Sequence, residues 1–254
     1  MRLRGGPPPS PTAELTRLLE RLNPAALAAA TGHRLILSLH LAAAGLPVPR
    51  LHGVVGRATC WSADARRPIE GIEAAARMLA AVPGDVAIRP YAAALASPTR
   101  LLSRAGAAFI DGEGSSWTPR ELADALFSDP ACEVFLVEES APAAGGPRVA
   151  RVITVVSDAG EARPVHARLI GPGEVVEELD VASPGTEPAG LADAYALACR
   201  AALFAAPQRS IAWDIALTDG GPAVLGADSR YERVPGPRFA EAMRAVERAT
   251  GHLS

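Results

Sequence analysis

The chain has 254 residues, 49% hydrophobic and 21% charged, which excludes a disordered or fibrous protein and leaves room for one large domain or two lobes. A net charge of -3 gives no electrostatic basis for holding nucleic acid or an anionic membrane surface. Three well-separated cysteines (Cys60, Cys132, Cys199) suggest neither a disulfide framework nor a zinc site, and all 25 residues of the Lys+Arg count are arginine.

Residues 1–11 are rich in Pro and Gly and read as a disordered tail without the apolar stretch of a signal peptide. No later run is apolar for long enough to span a bilayer, so the expected location is cytoplasmic, with neither a membrane span nor a nucleic-acid partner. Leu15, Leu18, Leu19 and Leu22 recur at helical spacing and predict a helix over 12–22. A second helix is expected over 33–45, stopped by Gly45 before the extended "LPVP". Then come a short strand at "RLHGVV", a helix over 71–84 and a strand over 85–91. After an irregular stretch a strand is expected at 107–111. Thr118, Pro119 and Glu121 form a capping box for the next helix, and "EVFLVEE" (133–139) is a strand.

"APAAGGP" (141–147) is the best linker. Beyond it, "RVARVITVVSD", "RPVHARLIG" and "EVVEELDVA" read as strands of one sheet. A helix near 188–205, the hairpin "SIAWDIALTDGGPAVLGADSRYE" (210–232) and a helix at 237–249 complete the chain. The pattern is α+β, with two lobes: an N-terminal lobe over 12–140 and a C-terminal lobe over 141–254. The five histidines show no ligand spacing, and His166 reads as a structural or rim residue. Trp61, Trp117 and Trp213 read as core or interface anchors.

The hairpin carries two carboxylates that a buried ribbon should not hold unpaired, Asp214 and Asp228. A two-residue loop at Asp219-Gly220 and a three-residue loop ending at a left-handed Gly221 are both compatible with "TDGG". The three-residue loop is preferred, because it pairs Thr218 with Pro222, Ile215 with Leu225 and Asp214 with Gly226. Trp213, Ile215, Leu217, Ala223 and Leu225 then share one face, and Asp214, Gly226 and Asp228 the other. Carboxylates meeting from adjacent strands need a cation between them. Magnesium held through phosphates, an arginine, or simple exposure at the sheet rim are open on spacing alone. Arg151, inside an apolar strand, likewise calls for an anion, either an internal carboxylate or a phosphate.

"AWDIALTDGGPAVLGADS" resembles the closing hairpin of the ATP-grasp superfamily, in particular its sugar-transfer-associated branch. The resemblance covers roughly residues 33 to 232 and implies an ATP-grasp-like fold of two α+β lobes with a nucleotide cleft between them. It implies Asp214 as a magnesium ligand and Asp228 in the place of an Asn ligand, with Gly226 where a metal-bridging Glu is usual. It implies Arg151 and Arg168 near the triphosphate. It sets backbone groups of Val137 and Glu138 at adenine, Glu138 or Glu139 at the ribose, and Arg89 and Arg34 in the places of nucleotide-contacting lysines. "YAAALASPTRLL" lacks the glycines of the family's phosphate flap. The function implied is an ATP- and magnesium-dependent ligase-type enzyme with acyl-phosphate chemistry, acting on a small molecule or glycan precursor. The rival reading is a degenerate ATP-grasp domain that acts as a binding or scaffold protein.

Overall fold

The computed structural model describes residues 11–23, 25–57, 60–64, 66–91, 99–140, 148–171, 176–179, 181, 189–231, 246 and 248. The tail, the 141–147 linker, most of the glycine-free stretch after Tyr91 and nearly all of the expected 237–249 helix lie outside the described residues. The chain divides into two compact units. One is contiguous, Gly32–Gly145; the other combines Met1–Thr31 with Gly146–Ser254. Among the described residues, no helix is long and apolar enough to cross a membrane.

In chain order, α1 (Pro11–Leu22) and α2 (Ala25–Gly32) come first. The contiguous unit follows with α3 (Arg34–Ala43), β1 (Leu51–Gly56), β2 (Cys60–Ser62), β3 (Arg67–Ile69), α4 (Gly71–Ala81) and β4 (Val86–Pro90). It continues through β5 (Arg100–Ala105), β6 (Ala108–Asp111), β7 (Ser116–Trp117), α5 (Pro119–Ser128) and β8 (Val134–Glu139). Its strands form one antiparallel sheet in the order β3-β2-β1-β8-β4-β5-β6-β7. Alternation along β4 and β8 sends Ile88, Phe135 and Val137 into a core with Leu79 of α4 and Leu122 and Leu126 of α5. The capping box of α5 is present: Thr118 and Glu121 each accept from the other's backbone amide.

The other unit resumes with β9 (Arg148–Val156), β10 (Ala162–Ile170), β11 (Val176–Leu179), α6 (Leu191–Phe204), β12 (Ser210–Thr218) and β13 (Gly221–Asp228). Its antiparallel order is β11-β10-β9-β12-β13. On one face Trp213 is fully buried and its Nε1 donates to Thr154 Oγ1 at 2.9 Å. On the other face, Ile153, Val155 and Ala212 pack with the four leucines of α1 and with Tyr231.

That packing corrects the expected lobe boundary. Residues 12–31 were expected in the N-terminal lobe; they cluster instead with the C-terminal sheet, because the leucine stripe of α1 needs the apolar end of that sheet. Asn23 then fastens α1 in place. Its Oδ1 accepts from Arg209 N and Ser210 N at 3.0 and 3.1 Å, and its Nδ2 donates to the carbonyls of Ser210 and Ser229 at 2.7 Å each.

The hairpin turn is also corrected. Thr218 pairs with Gly221, so the loop is the two-residue one, although Gly221 does take a left-handed φ of 104°. Thr218 Oγ1 closes it, accepting from Gly220 N at 3.2 Å and donating to Gly221 O at 2.6 Å. Leu225 is then an extra residue in β13, a bulge that restores the expected pairing of Asp214 with Gly226. The buried face carries Val224 and Ala227 in place of the expected Ala223 and Leu225. Helix α2 and strands β2, β3, β5 and β7 had no sequence counterpart.

The four Asn23 bonds bind backbone groups at the end of the ladder. Asn23→Ala is expected to lower stability by about 3 kcal/mol, since each bond nets about 1 kcal/mol and the stranded groups are buried. Thr118→Ala should cost only about 1 kcal/mol, the usual value of a lost cap. Urea unfolding measures both, and an Asn23 effect smaller than the Thr118 effect contradicts the fastening role.

Candidate functional site

The sheet of β9–β13 sets one row of side-chain positions across its strands. Gly226 of β13 pairs with Asp214 of β12, Asp214 with Arg151 of β9, Arg151 with Arg168 of β10, and Arg168 with Glu178 of β11. Paired residues share a face. Asp228, paired with Ala212, lies on that face too. It is also the face whose other end α1 covers through Ile153, Val155 and Ala212. One face is thus apolar at one end and charged at the other.

Within the charged end, Arg151 Nε lies 3.4 Å from Asp214 Oδ1, and Arg151 Nη2 lies 3.9 Å from Asp228 Oδ2. The expected convergence of Asp214 and Asp228 therefore includes Arg151, and an internal carboxylate pair answers the question its strand position raised. The three side chains are 25%, 33% and 38% exposed, so the pairs are partly solvated and worth about 1 kcal/mol or less each. Arg151 Nε is buried and makes no hydrogen bond. Asp228 Oδ1 accepts from Arg230 N at 2.8 Å, which fixes its rotamer. Arg168 occupies the next register position on the same face, half-buried.

Among the described residues no group of three or more His, Cys, Asp or Glu side chains is gathered for a metal ion. That excludes a closed protein cage in the described part. The set Asp214 and Asp228 fits the other mode, in which magnesium takes one or two carboxylates and fills its octahedron with water and phosphate oxygens. A second, bridged metal needs a further carboxylate, and Gly226 at that register position supplies none.

In the contiguous unit the expected nucleotide-contacting residues form a second group. Arg89 and Glu138 share a face of β4 and β8, with Arg89 Nε 3.3 Å from Glu138 Oε2 and side-chain exposures of 11% and 4%. Burial pushes the Glu138 carboxyl above its usual range, against the pull of Arg89 and then Arg34. Arg34 opens α3, its backbone N donating to Tyr91 O at 2.8 Å. Glu139 is exposed. The side chain of Val137 is in the core, and its strand pairs with β1 on one side and β4 on the other. The sequence reading gave Arg89 and Glu138 separate ligand roles and missed that each is the other's partner. Apolar alternation in both strands with one charge in each was the available signal. It also missed the Arg50–Asp64–His52 cluster, where the Arg50 hydrogen bond holds Asp64 below the usual carboxylate range.

No family model matches the sequence, and no curated protein does either. Solved structures do match. The chain superimposes on a RimK domain ATP-grasp protein from Sphaerobacter thermophilus DSM 20745 with a TM-score of 0.55 and 18% identity, covering 89% of this chain and 70% of that one. An ADP complex of N5-carboxyaminoimidazole ribonucleotide synthetase gives 0.57 and 17%, covering 88% and 52%. D-alanine–D-alanine ligase from Bacillus anthracis, complexed with ATP, gives 0.53 and 10%, covering 88% and 66%. The chain thus has the ATP-grasp fold, a mixed α and β architecture with antiparallel sheets, and spans about half the length of the synthetase.

The Arg89–Glu138 pair is buried enough that losing one partner should cost far more than losing both. Arg89→Met is expected to destabilise by about 3–5 kcal/mol at neutral pH, and Arg89→Met with Glu138→Leu to recover most of it. The sign with pH follows from Glu138. Without the guanidinium its folded-state carboxyl rises further above the 4.5 of the unfolded chain, so the folded state binds the proton more tightly. The penalty of Arg89→Met is then full at neutral pH and shrinks as pH falls toward 4.5. Denaturant titrations of the cycle at several pH values measure it; an Arg89→Met penalty that grows toward acid contradicts the pairing.

Proposed function

We propose that the chain binds ATP with one magnesium ion and uses it for ligase-type activation of a carboxylate. The observation that carries the reading is the meeting of Asp214, Asp228 and Arg151 on one open face of a sheet in an ATP-grasp fold. Asp214 and Asp228 hold the cation, and Arg151 and Arg168 bind phosphate oxygens, which a guanidinium meets with two parallel hydrogen bonds. Arg34, Arg89, Glu138 and Glu139 are the proposed nucleotide contacts of the contiguous unit. When bound, the metal supplies positive charge at the β- and γ-phosphates during phosphoryl transfer. A carboxylate oxygen attacks the γ-phosphorus, ADP leaves, and an amine or thiol then displaces phosphate from the acyl phosphate. The likeness of the Asp214–Asp228 hairpin to the sugar-transfer-associated branch supports a polysaccharide or surface-glycan precursor as the acceptor.

A second reading, a degenerate domain that binds nucleotide weakly or not at all and serves as a scaffold, is favoured by one feature: Gly226 faces Asp214 where a bridging carboxylate would complete a two-metal site. Calorimetry with ATP, with and without magnesium, separates these. ATP binding should require magnesium, and Asp214→Asn should weaken it at least about tenfold, as loss of a charged ligand does. Gly226→Glu should strengthen it, and the backbone there has no positive φ to oppose the change. ATP binding of equal strength without magnesium and in Asp214→Asn contradicts the metal role, and its absence altogether leaves the scaffold reading.

A further inference from the structure

Among the ion pairs of the described residues two geometries occur, and Arg151 shares the looser one with Arg57, Arg89 and Arg100, whose pairs stand at 3.9, 3.3 and 3.8 Å. Arg50–Asp64 and Arg209–Asp158 close at 2.6 and 2.8 Å, as charge-assisted hydrogen bonds do. Arg151 instead touches Asp214 at 3.4 Å and Asp228 at 3.9 Å, with its buried Nε making no hydrogen bond. Its contacts are electrostatic without being closed.

We infer that Arg151 is a built-in counter-ion for Asp214 and Asp228, held at the place of the divalent cation and handed to a phosphate when the cation arrives, so that the site takes metal only together with nucleotide. This rests on the magnesium–ATP reading given above. Two carboxylates on adjacent strands repel unless a cation joins them. A guanidinium cannot lose its proton, so Arg151 fills that need at any working pH. It also lowers the negative potential that would attract a free cation: two carboxylates and one guanidinium leave a single residual charge. Arg151 cannot leave the site, because β9 is paired on both sides, to Arg168 and to Asp214. Its side chain can turn, since it is partly exposed and bound by contacts weaker than hydrogen bonds. A phosphate offers it the two parallel bonds that the aspartates do not. Metal and nucleotide therefore favour each other through one arginine, and by linkage each raises the other's affinity by the same factor.

Free Mn2+ measured by electron paramagnetic resonance, at low ionic strength and without nucleotide, tests this. Wild-type protein should bind Mn2+ weakly, and ATP should tighten it. Arg151→Gln should bind Mn2+ without nucleotide about tenfold more tightly than wild type, within the usual range of coupling between two sites. That gain should vanish in Arg151→Gln with Asp214→Asn, which locates the metal. Arg151→Lys, which keeps the charge, should exclude Mn2+ as wild type does, and circular dichroism establishes that each variant is folded. Equal Mn2+ binding by folded Arg151→Gln and wild type overturns the inference. So does tight Mn2+ binding by nucleotide-free wild type, a result that needs no variant. If wild type binds no magnesium–ATP, the functional reading fails, and the Mn2+ gain in Arg151→Gln still decides the counter-ion role.

Discussion

The register of β9 against β12 is the constraint from which the candidate site follows. Arg151 opposite Asp214 sets an arginine and a carboxylate on the same face of two adjacent interior strands. Side chains alternate with period two, so a slip of one residue would bring Arg151 opposite an apolar neighbour and drive Trp213 out of the core. The burial of Trp213 and its bond to Thr154 hold that register from the opposite face. The charged row is therefore stabilised by residues that never touch it. The bulge at Leu225 does the same for β13, since without it the two-residue turn would carry Gly226 and Asp228 to the wrong face.

Much of this was legible because local chemistry and global fold agree. The leucine stripe of α1, the capping box of α5 and the acidic face of the hairpin each rest on residues within a few positions of one another. The pairing of Asp214 with Gly226 was reached through an incorrect turn, and two one-residue differences cancelled. The failures are of another kind. The stripe on α1 predicts that the helix has a partner but not that the partner lies beyond residue 150. Strand β5, "RLLSRA", alternates too weakly to stand out, with only Leu102 fully buried. Arg89 and Glu138 are far apart in sequence, and only the register of β4 against β8 joins them.

The complete absence of lysine gives the charged groups a common character. Every fixed cation here is a planar fork that stays charged under burial. That suits the deep position of Arg89, where an ammonium would tend to shed its proton. It also suits Arg151, which stands beside two carboxylates at once.

The discontinuity of the unit that joins Met1–Thr31 to Gly146–Ser254 bears on how the chain is made. Residues 32–145 form a contiguous unit that leaves the ribosome with all its own strands and helices. Helix α1 emerges earlier but must wait, because Asn23 reaches partners 187 and 206 residues further along. Until β9 and β12 are synthesised its four leucines have no sheet to cover, and an exposed apolar stripe is an aggregation hazard for a nascent chain. This connectivity favours folding from the middle outwards, because closing loops of this length costs entropy before their contacts form. The carboxylates of the hairpin are the last of the candidate site residues to be synthesised, so the site is assembled only after the contiguous unit has been made.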